Sequence, residues 1–340
     1  MSHPSLFSHL ASGLRSTALA LTLGLAGLLG STAQAAEPLK IGYSDYPSFV
    51  AWEVAIQKGW FKDAGVDVQF VWFEYSPSLD AFSSGKLDGL NIAACDQLVI
   101  AGASKAVSKT ILISDFTDGN DQIIAKPGIT SLKELKGKKV GVEVGLVDHL
   151  LLQEGLKSVG LKIEDVTLVN VVTTDLPQAL ASGQVEAVAC WQPSVNQTFK
   201  LVPGAKTLFS SKDLPGLIYD TLIVTPESLA KRKADWVTVA KVWEKVVAYV
   251  QDPATKDESI KIMAARNGVD PVEYAKIFPG SRLHTLAMNK AAFALGKTGA
   301  GTLFGAQVIA DEFNRSNAVY KDKLDVAAYQ DSSVIDELVK

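Results

Sequence analysis

The chain has 340 residues, 47% of them hydrophobic and 21% charged, with a formal net charge of −4. That balance excludes the basic face that nucleic acid requires and the low hydrophobicity of a disordered chain. His3 and His9 fall in the leader, so only His149 and His284 remain, too few for a histidine-based metal site or a serine–histidine relay.

In chain order, Arg15 precedes an apolar run over 18–29, and Ala33-Gln34-Ala35 supplies small residues at signal-peptidase spacing. Residues 1–35 therefore read as a cleaved signal peptide and the remainder as a free periplasmic protein. No cysteine near the cleavage point offers a lipid anchor. About 305 residues then remain, too many for one core and comfortable for two lobes. Strands are expected over 39–43, 66–73, 89–93 and 110–114, with helices over 49–63, 78–84 and 97–103 between them. Residues 115–121 read as an acidic exit loop, and 122–125 as a strand crossing into a second lobe. The lysines at 133, 136, 138 and 139 read as solvated surface. Residues 219–224 form the expected return strand, and the two crossings form a hinge. Lobe 1 is thus assigned residues 36–121 and 226–340, and lobe 2 residues 122–225. Beyond 226 the pattern is helical, over 236–251, 256–267, 271–277 and 303–313, and the stripe Val239, Val242, Trp243, Val246 and Val250 reads as core. The tail after Asn317 reads as a loosely held extension, and Cys95 and Cys190 as unpaired and buried.

The stretch 41–96 recurs in diverged form over 140–192. Ile41-Gly42-Tyr43 answers Val140-Gly141-Val142, and Ala81-Phe82-Ser83-Ser84-Gly85 answers Ala179-Leu180-Ala181-Ser182-Gly183. Each copy reads strand, helix, strand, helix, strand, which builds an α/β lobe around a mainly parallel sheet whose ligands bind beyond the strands' carboxyl ends. With both rims on one cleft, the facing loops carry Asp45, Glu74, Asp96, Asp115, Asp118, Asp121, Glu143, Asp148 and Asp220, and neither arginine nor lysine. Arg232, Arg266, Arg282 and Arg315 all fall in the C-terminal helical region.

A cleft lined with acids and aromatic rings suits a cation, whereas an anion would have to rely on helix N-termini and neutral donors. The candidate ligand-binding residues are Asp45, Tyr46, Trp72, Glu74, Asp96, Glu143, Asp148, Trp191 and Asp220. Asp96 and Asp148 stand where either a helix-capping or a ligand role fits. Glu143 sits on an apolar strand end with no structural reason to be acidic, and Trp191 stands at a strand tip, where aromatics wall binding clefts. The acids from 115 to 121 are those a turn would want regardless. His149 reads as a capped, half-exposed residue. No usable catalytic constellation is present, and neither enzyme nor cofactor is expected.

Several motifs in series resemble the nitrate/sulfonate/taurine and thiamine-precursor group of periplasmic solute-binding proteins. They are Ile41-Gly42-Tyr43, Lys58-Gly59-Trp60-Phe61, Ser84-Gly85-Lys86-Leu87-Asp88, Leu135-Lys136-Gly137-Lys138-Lys139-Val140-Gly141-Val142 and Trp191-Gln192-Pro193. The resemblance implies a type II periplasmic binding-protein fold, two lobes with parallel-type sheets and a two-segment hinge. It also implies a monomer that hands a small solute to an ABC permease with its ATPase subunit. Val71-Trp72-Phe73-Glu74-Tyr75, Val142-Glu143-Val144-Gly145 with Asp148-His149, and Gly216-Leu217-Ile218-Tyr219-Asp220 resemble the branch associated with urea or guanidine carboxylation. The expected solute is guanidinium or a guanidino compound, then urea; a sulfonate, taurine, nitrate or thiamine-precursor pyrimidine is the alternative.

Overall fold

The computed structural model describes residues 37–295 and 301–340; the expected signal peptide lies outside the described residues. Eleven strands are described: β1 Leu39–Tyr43, β2 Val68–Trp72, β3 Gly89–Ala93, β4 Lys109–Thr117, β5 Asp121–Ala125, β6 Lys139–Val142, β7 Thr167–Asn170, β8 Ala187–Trp191, β9 Lys206–Ser210, β10 Tyr219–Val224 and β11 Ser281–Leu283. They form a six-stranded sheet in the order β11-β4-β10-β3-β1-β2 and a five-stranded sheet in the order β7-β6-β8-β5-β9. Both sheets have parallel pairs at the duplicated units, β1 with β2 and β3, and β6 with β7 and β8. The fold is the expected two-lobed α/β class.

The duplication extends to packing. Gly42 in β1 and Gly141 in β6 lie under equivalent side chains: a Cβ on Gly42 would stand 2.7 Å from Leu87, and one on Gly141 2.9 Å from Leu176 and 3.4 Å from Val185. In each copy side chains from the segment entering the next parallel strand and from that strand close over the glycine, and only glycine leaves room. Each sheet is completed by an antiparallel strand delivered from a crossing: β10 beside β3, and β5 beside β8. The two crossings are tied together where the Gly119 amide donates to Ser211 Oγ at 2.8 Å.

Several expectations require correction. β10, a hinge strand within the expected span 122–225, pairs with β3 and β4 in the six-stranded sheet, where Leu222 and Ile223 are wholly buried. The single helix over 49–63 is three short ones, Pro47–Val50, Trp52–Gln57 and Trp60–Asp63, the last break falling at Gly59 with φ +69°. β4 runs three residues beyond the expected strand end, so Asp115 is a strand residue rather than a loop acid. The valine and tryptophan stripe of the helix Pro226–Gln251 is buried as expected, with Trp243 against Trp52 at 4.7 Å between centroids. Cys95 and Cys190 are free and buried.

The tail is not loose. Tyr320, Val326, Val334 and Ile335 are buried, Gln330 bridges to Thr110 on β4, and the Tyr320 ring lies where a Cβ on Gly102 would be. Tyr320→Ala should accordingly lower unfolding stability by about 3 kcal/mol, the usual cost of emptying a buried aromatic site. Chemical denaturation checks this, and a change under ~0.5 kcal/mol would return the tail to a loosely held extension.

Candidate functional site

The strand ends of both sheets converge on one cavity. Antiparallel β10 starts where parallel β3 ends, so Asp220 pairs with Ala93 on one side and with Asp115 of β4 on the other. Antiparallel β5 starts where β8 ends, so Asp121 pairs with Trp191. Asp220 and Asp121 thus hold equivalent positions in the two lobes, each the carboxylate at the mouth of an antiparallel strand. Both line an enclosed cavity with the aromatic rings of Tyr46, Phe49, Tyr75 and Trp191 and the apolar Ala93, Val147 and Ile218. The walls leave only about 10 Å³ for the centre of a water-sized sphere, roughly the space for one water.

Around this cavity the polar inventory does not balance. Both carboxylate oxygens of Asp115 and of Asp148, and one each of Asp121 and Asp220, are buried without a hydrogen bond of good geometry, as are the hydroxyls of Tyr46, Ser44 and Ser48, although Ser48, Ser281 and Tyr46 lie close to Asp115 and Thr117 and Ser211 close to Asp121. Buried polar atoms are almost always satisfied, and an unpaired buried carboxylate is among the most costly groups in a protein. Burial pushes Asp115 and Asp121 up to about 7, and Asp148 and Asp220 well above the usual carboxylate range, with the neighbouring acids adding to the effect at Asp121, Asp148 and Asp220. None of the residues lining the cavity is basic. Among the described residues no group of three or more histidine, cysteine or carboxylate side chains converges tightly enough to hold a metal ion. The acids instead ring a space.

The remaining candidates divide. Tyr46 and Trp191 line the cavity, and the Trp191 indole N–H donates to Asp45 Oδ1 at 3.2 Å while its ring meets Tyr75 edge-on at 5.0 Å. Asp45 lies in a second, outer cavity with Glu74, Glu143 and Thr173, about 140 Å³ by the same measure; burial raises Asp45 to about 6 and Glu143 to about 7. Glu143 already accepts from Thr173 Oγ1 at 3.0 Å and from Ser76 across the cleft. Asp96 is not an N-cap: the helix Ala94–Ala103 begins two residues earlier, and Asp96 sits in its first turn. There it accepts from Tyr75 OH at 2.7 Å and from the Val147 amide of the opposite lobe at 3.3 Å, while burial lifts it to about 7.

The placements of other residues bear on the site. Glu74 is exposed and lines the outer cavity. Trp72 lies outside the inner cavity, with Arg266 3.9 Å over its ring and paired through Nε with Glu53 at 3.1 Å. One C-terminal arginine therefore does reach the cleft's outer edge, beside Asp45 and Glu74. His149 is 2% exposed rather than half-exposed, its Nδ1 accepts from the Gly145 amide, and burial lowers its pKa to about 4. Asp118, by contrast, is turned away and held by Arg282 at 2.6 Å. Asp121 and Tyr75, which line the inner cavity, and Asp115, beside Asp220, lie outside the candidate ligand residues that local sequence suggests. Their signal was an isolated acid inside a β-branched strand and an aromatic directly after Trp72-Phe73-Glu74, which loop composition masked.

A larger cavity, about 510 Å³, is lined only by residues between Tyr43 and Phe70 and so touches a single lobe. The inter-lobe cavity, with acids and rings from both sheets, defines a two-lobed binding protein. The chain belongs to the NMT1/THI5-like family, whose model matches residues 46–243. It is 26% identical over 264 residues to a putative binding protein of Brucella abortus, covering 75% of this chain and 80% of that one. It is 24% identical over 162 residues to the taurine-binding periplasmic protein of Escherichia coli, 47% of each chain. Its fold matches the alkanesulfonate-binding protein SsuA of Xanthomonas axonopodis pv. citri, solved bound to MOPS, with a TM-score of 0.72 at 20% identity, over 87% of this chain and 99% of that one. The named relatives are binding proteins, and neither comparison points to the urea or guanidine branch.

Proposed function

We propose that this chain is the periplasmic solute receptor of an ABC importer and that its inter-lobe cleft takes a small planar cation, guanidinium or a compact guanidino or amidine compound, with the lobes set further apart than in the arrangement described, whose inner cavity has room for about one water. One observation carries the reading: Asp121 of one sheet and Asp220 of the other, each with a buried carboxylate oxygen that has no close partner, line a cavity that no lysine or arginine lines. A planar cation with several N–H donors satisfies such oxygens and stacks on Tyr75 or Trp191, while its charge offsets their mutual repulsion. Arg266 supplies an internal example, its guanidinium over the Trp72 ring and paired with Glu53. Urea, with similar shape and donors but no charge, is the weaker candidate. A metal ion is disfavoured because the acids do not converge on a point.

The second reading, a sulfonate, taurine or nitrate receptor, draws on the names of the taurine-binding relative and of the sulfonate-binding structure. A sulfonate in the inner cavity would meet Asp121 and Asp220 with no opposite charge among the lining residues, and so requires both raised acids to be protonated. Melting curves with guanidinium, urea, taurine, nitrate and a hydroxymethylpyrimidine separate the readings, since a ligand of the folded state raises the melting temperature by mass action. Guanidinium is expected to give the largest shift at millimolar concentration. A shift with taurine and none with guanidinium rejects the cation reading in favour of the second.

A further inference from the structure

We infer that Asp96 determines the sign of the charge this cleft accepts, by occupying from within a place where an external anion would otherwise bind. The inference rests on the cation reading above. The helix Val147–Ser158 points its N-terminus into the cleft, and Val147 itself lines the inner cavity. Such an end, with amides aimed outward and the positive pole of the helix behind them, is a ready anion site in any fold. Here three amides at that end are taken up by the protein. Gly145 donates to the His149 ring at 3.1 Å, Leu146 to the Glu143 carbonyl at 3.3 Å, and Val147 to Asp96 Oδ2 at 3.3 Å.

The carboxylate at Val147 comes from the opposite lobe and sits in the first turn of its own helix, Ala94–Ala103, so two helix N-termini of different lobes share one buried acid. Tyr75 holds it from a third direction. An independent observation marks the same end: Asp148, the next residue of the helix, is 0% exposed with both carboxylate oxygens unpartnered, so an anion lodged there would require it to stay protonated. An arriving anion would have to displace Asp96 and lie against Asp148. An arriving cation meets both acids, and the Asp96 contact that closes the lobes remains in place.

Removing the Asp96 carboxylate should therefore open an anion site as well as weaken the cation site. The test compares wild type, Asp96→Ala and Asp96→Asn by thermal shift and calorimetry with sulfate, formate and guanidinium, sodium chloride of equal ionic strength serving as the control. In Asp96→Ala, sulfate and formate should bind about tenfold or more tighter than in wild type, because a small anion replaces the lost charge-assisted bond at Val147. Asp96→Asn, which keeps an acceptor at that amide and fills the space, should gain no anion affinity. A merely structural role for Asp96 would lower the melting temperature of both variants without any anion-specific recovery. A folded Asp96→Ala that responds to sulfate and formate no better than wild type overturns the inference. Should Asp96→Ala not fold, Asp96→Ser is measured in its place, and failure of both to fold or to be restored by either anion also overturns it. The wild-type response to guanidinium is read separately: if it is absent the cation reading falls, whereas if it is present and the variants gain no anion affinity, this inference alone falls.

Discussion

Asp220→Asn should weaken guanidinium binding by about tenfold to a hundredfold while making the unliganded protein more stable at neutral pH. The two effects have opposite signs for one reason. Asp220 is buried at the mouth of β10, one oxygen has no partner, and burial together with the Asp115 charge holds its pKa well above the ordinary carboxylate value. An asparagine of the same shape removes the acid but keeps an acceptor. The unliganded fold no longer has to suppress ionisation, whereas the cation loses one charge-assisted hydrogen bond, worth about 1.5–3 kcal/mol. Asp121→Asn, at the equivalent position of the other lobe, should behave likewise. Calorimetric titration and the unliganded melt, taken together, check both. Weaker binding accompanied by a less stable unliganded protein would make Asp220 a structural residue, and unchanged affinity would remove it from the site.

Guanidinium affinity should also rise with pH between about 5 and 8, and the unliganded protein should lose stability over much of the same interval. Guanidinium stays charged throughout, so the titrating partners are the protein's acids: Asp45 near 6, and Asp96, Asp115, Asp121 and Glu143 near 7, all raised chiefly by burial. Below those values a bound cation must displace protons, and affinity falls by up to about tenfold per pH unit for each proton released. For folding, these acids carry more protons in the folded chain than in the unfolded one between about pH 4 and 7. The derivative of unfolding free energy with pH is then negative. Stability is therefore fully present below the unfolded value near 4 and is lost as pH rises through the folded values near 6 to 7. Titrations in buffers of different ionisation enthalpy should register proton release on binding. Affinity that does not change from pH 5 to 8 would sink the idea that the buried acids receive the solute.

A good part of the architecture was legible before any coordinates. The duplicated units were visible because hydrophobic periodicity is local: β1, β3 and β10 have the bounds the sequence suggested, and the helical stripe from Val239 to Val250 is core. Local patterning also named most of the rim, and Tyr46, Trp191 and Asp220 do line the inner cavity. It misread Asp115 and Asp121, since a run of aspartate, glycine and asparagine has the composition of a turn whether or not strands extend into it at either end. It placed Asp96 at a cap when the helix starts earlier, and it kept Arg266 away from the cleft.

What residue order alone determined is the pair of α/β units, their glycine-spaced turns and the surplus of acid over base in the strand-end loops. Tertiary structure decided which of those acids face one another. Asp121 and Asp220 become equivalent only because each crossing strand inserts antiparallel beside the other unit's last parallel strand, and Asp96 meets Val147 only when the lobes come together. Strand and helix periodicity follows from neighbours a few residues apart, whereas these pairings join segments about a hundred and about fifty residues apart, whose register is fixed by the burial of whole sheets.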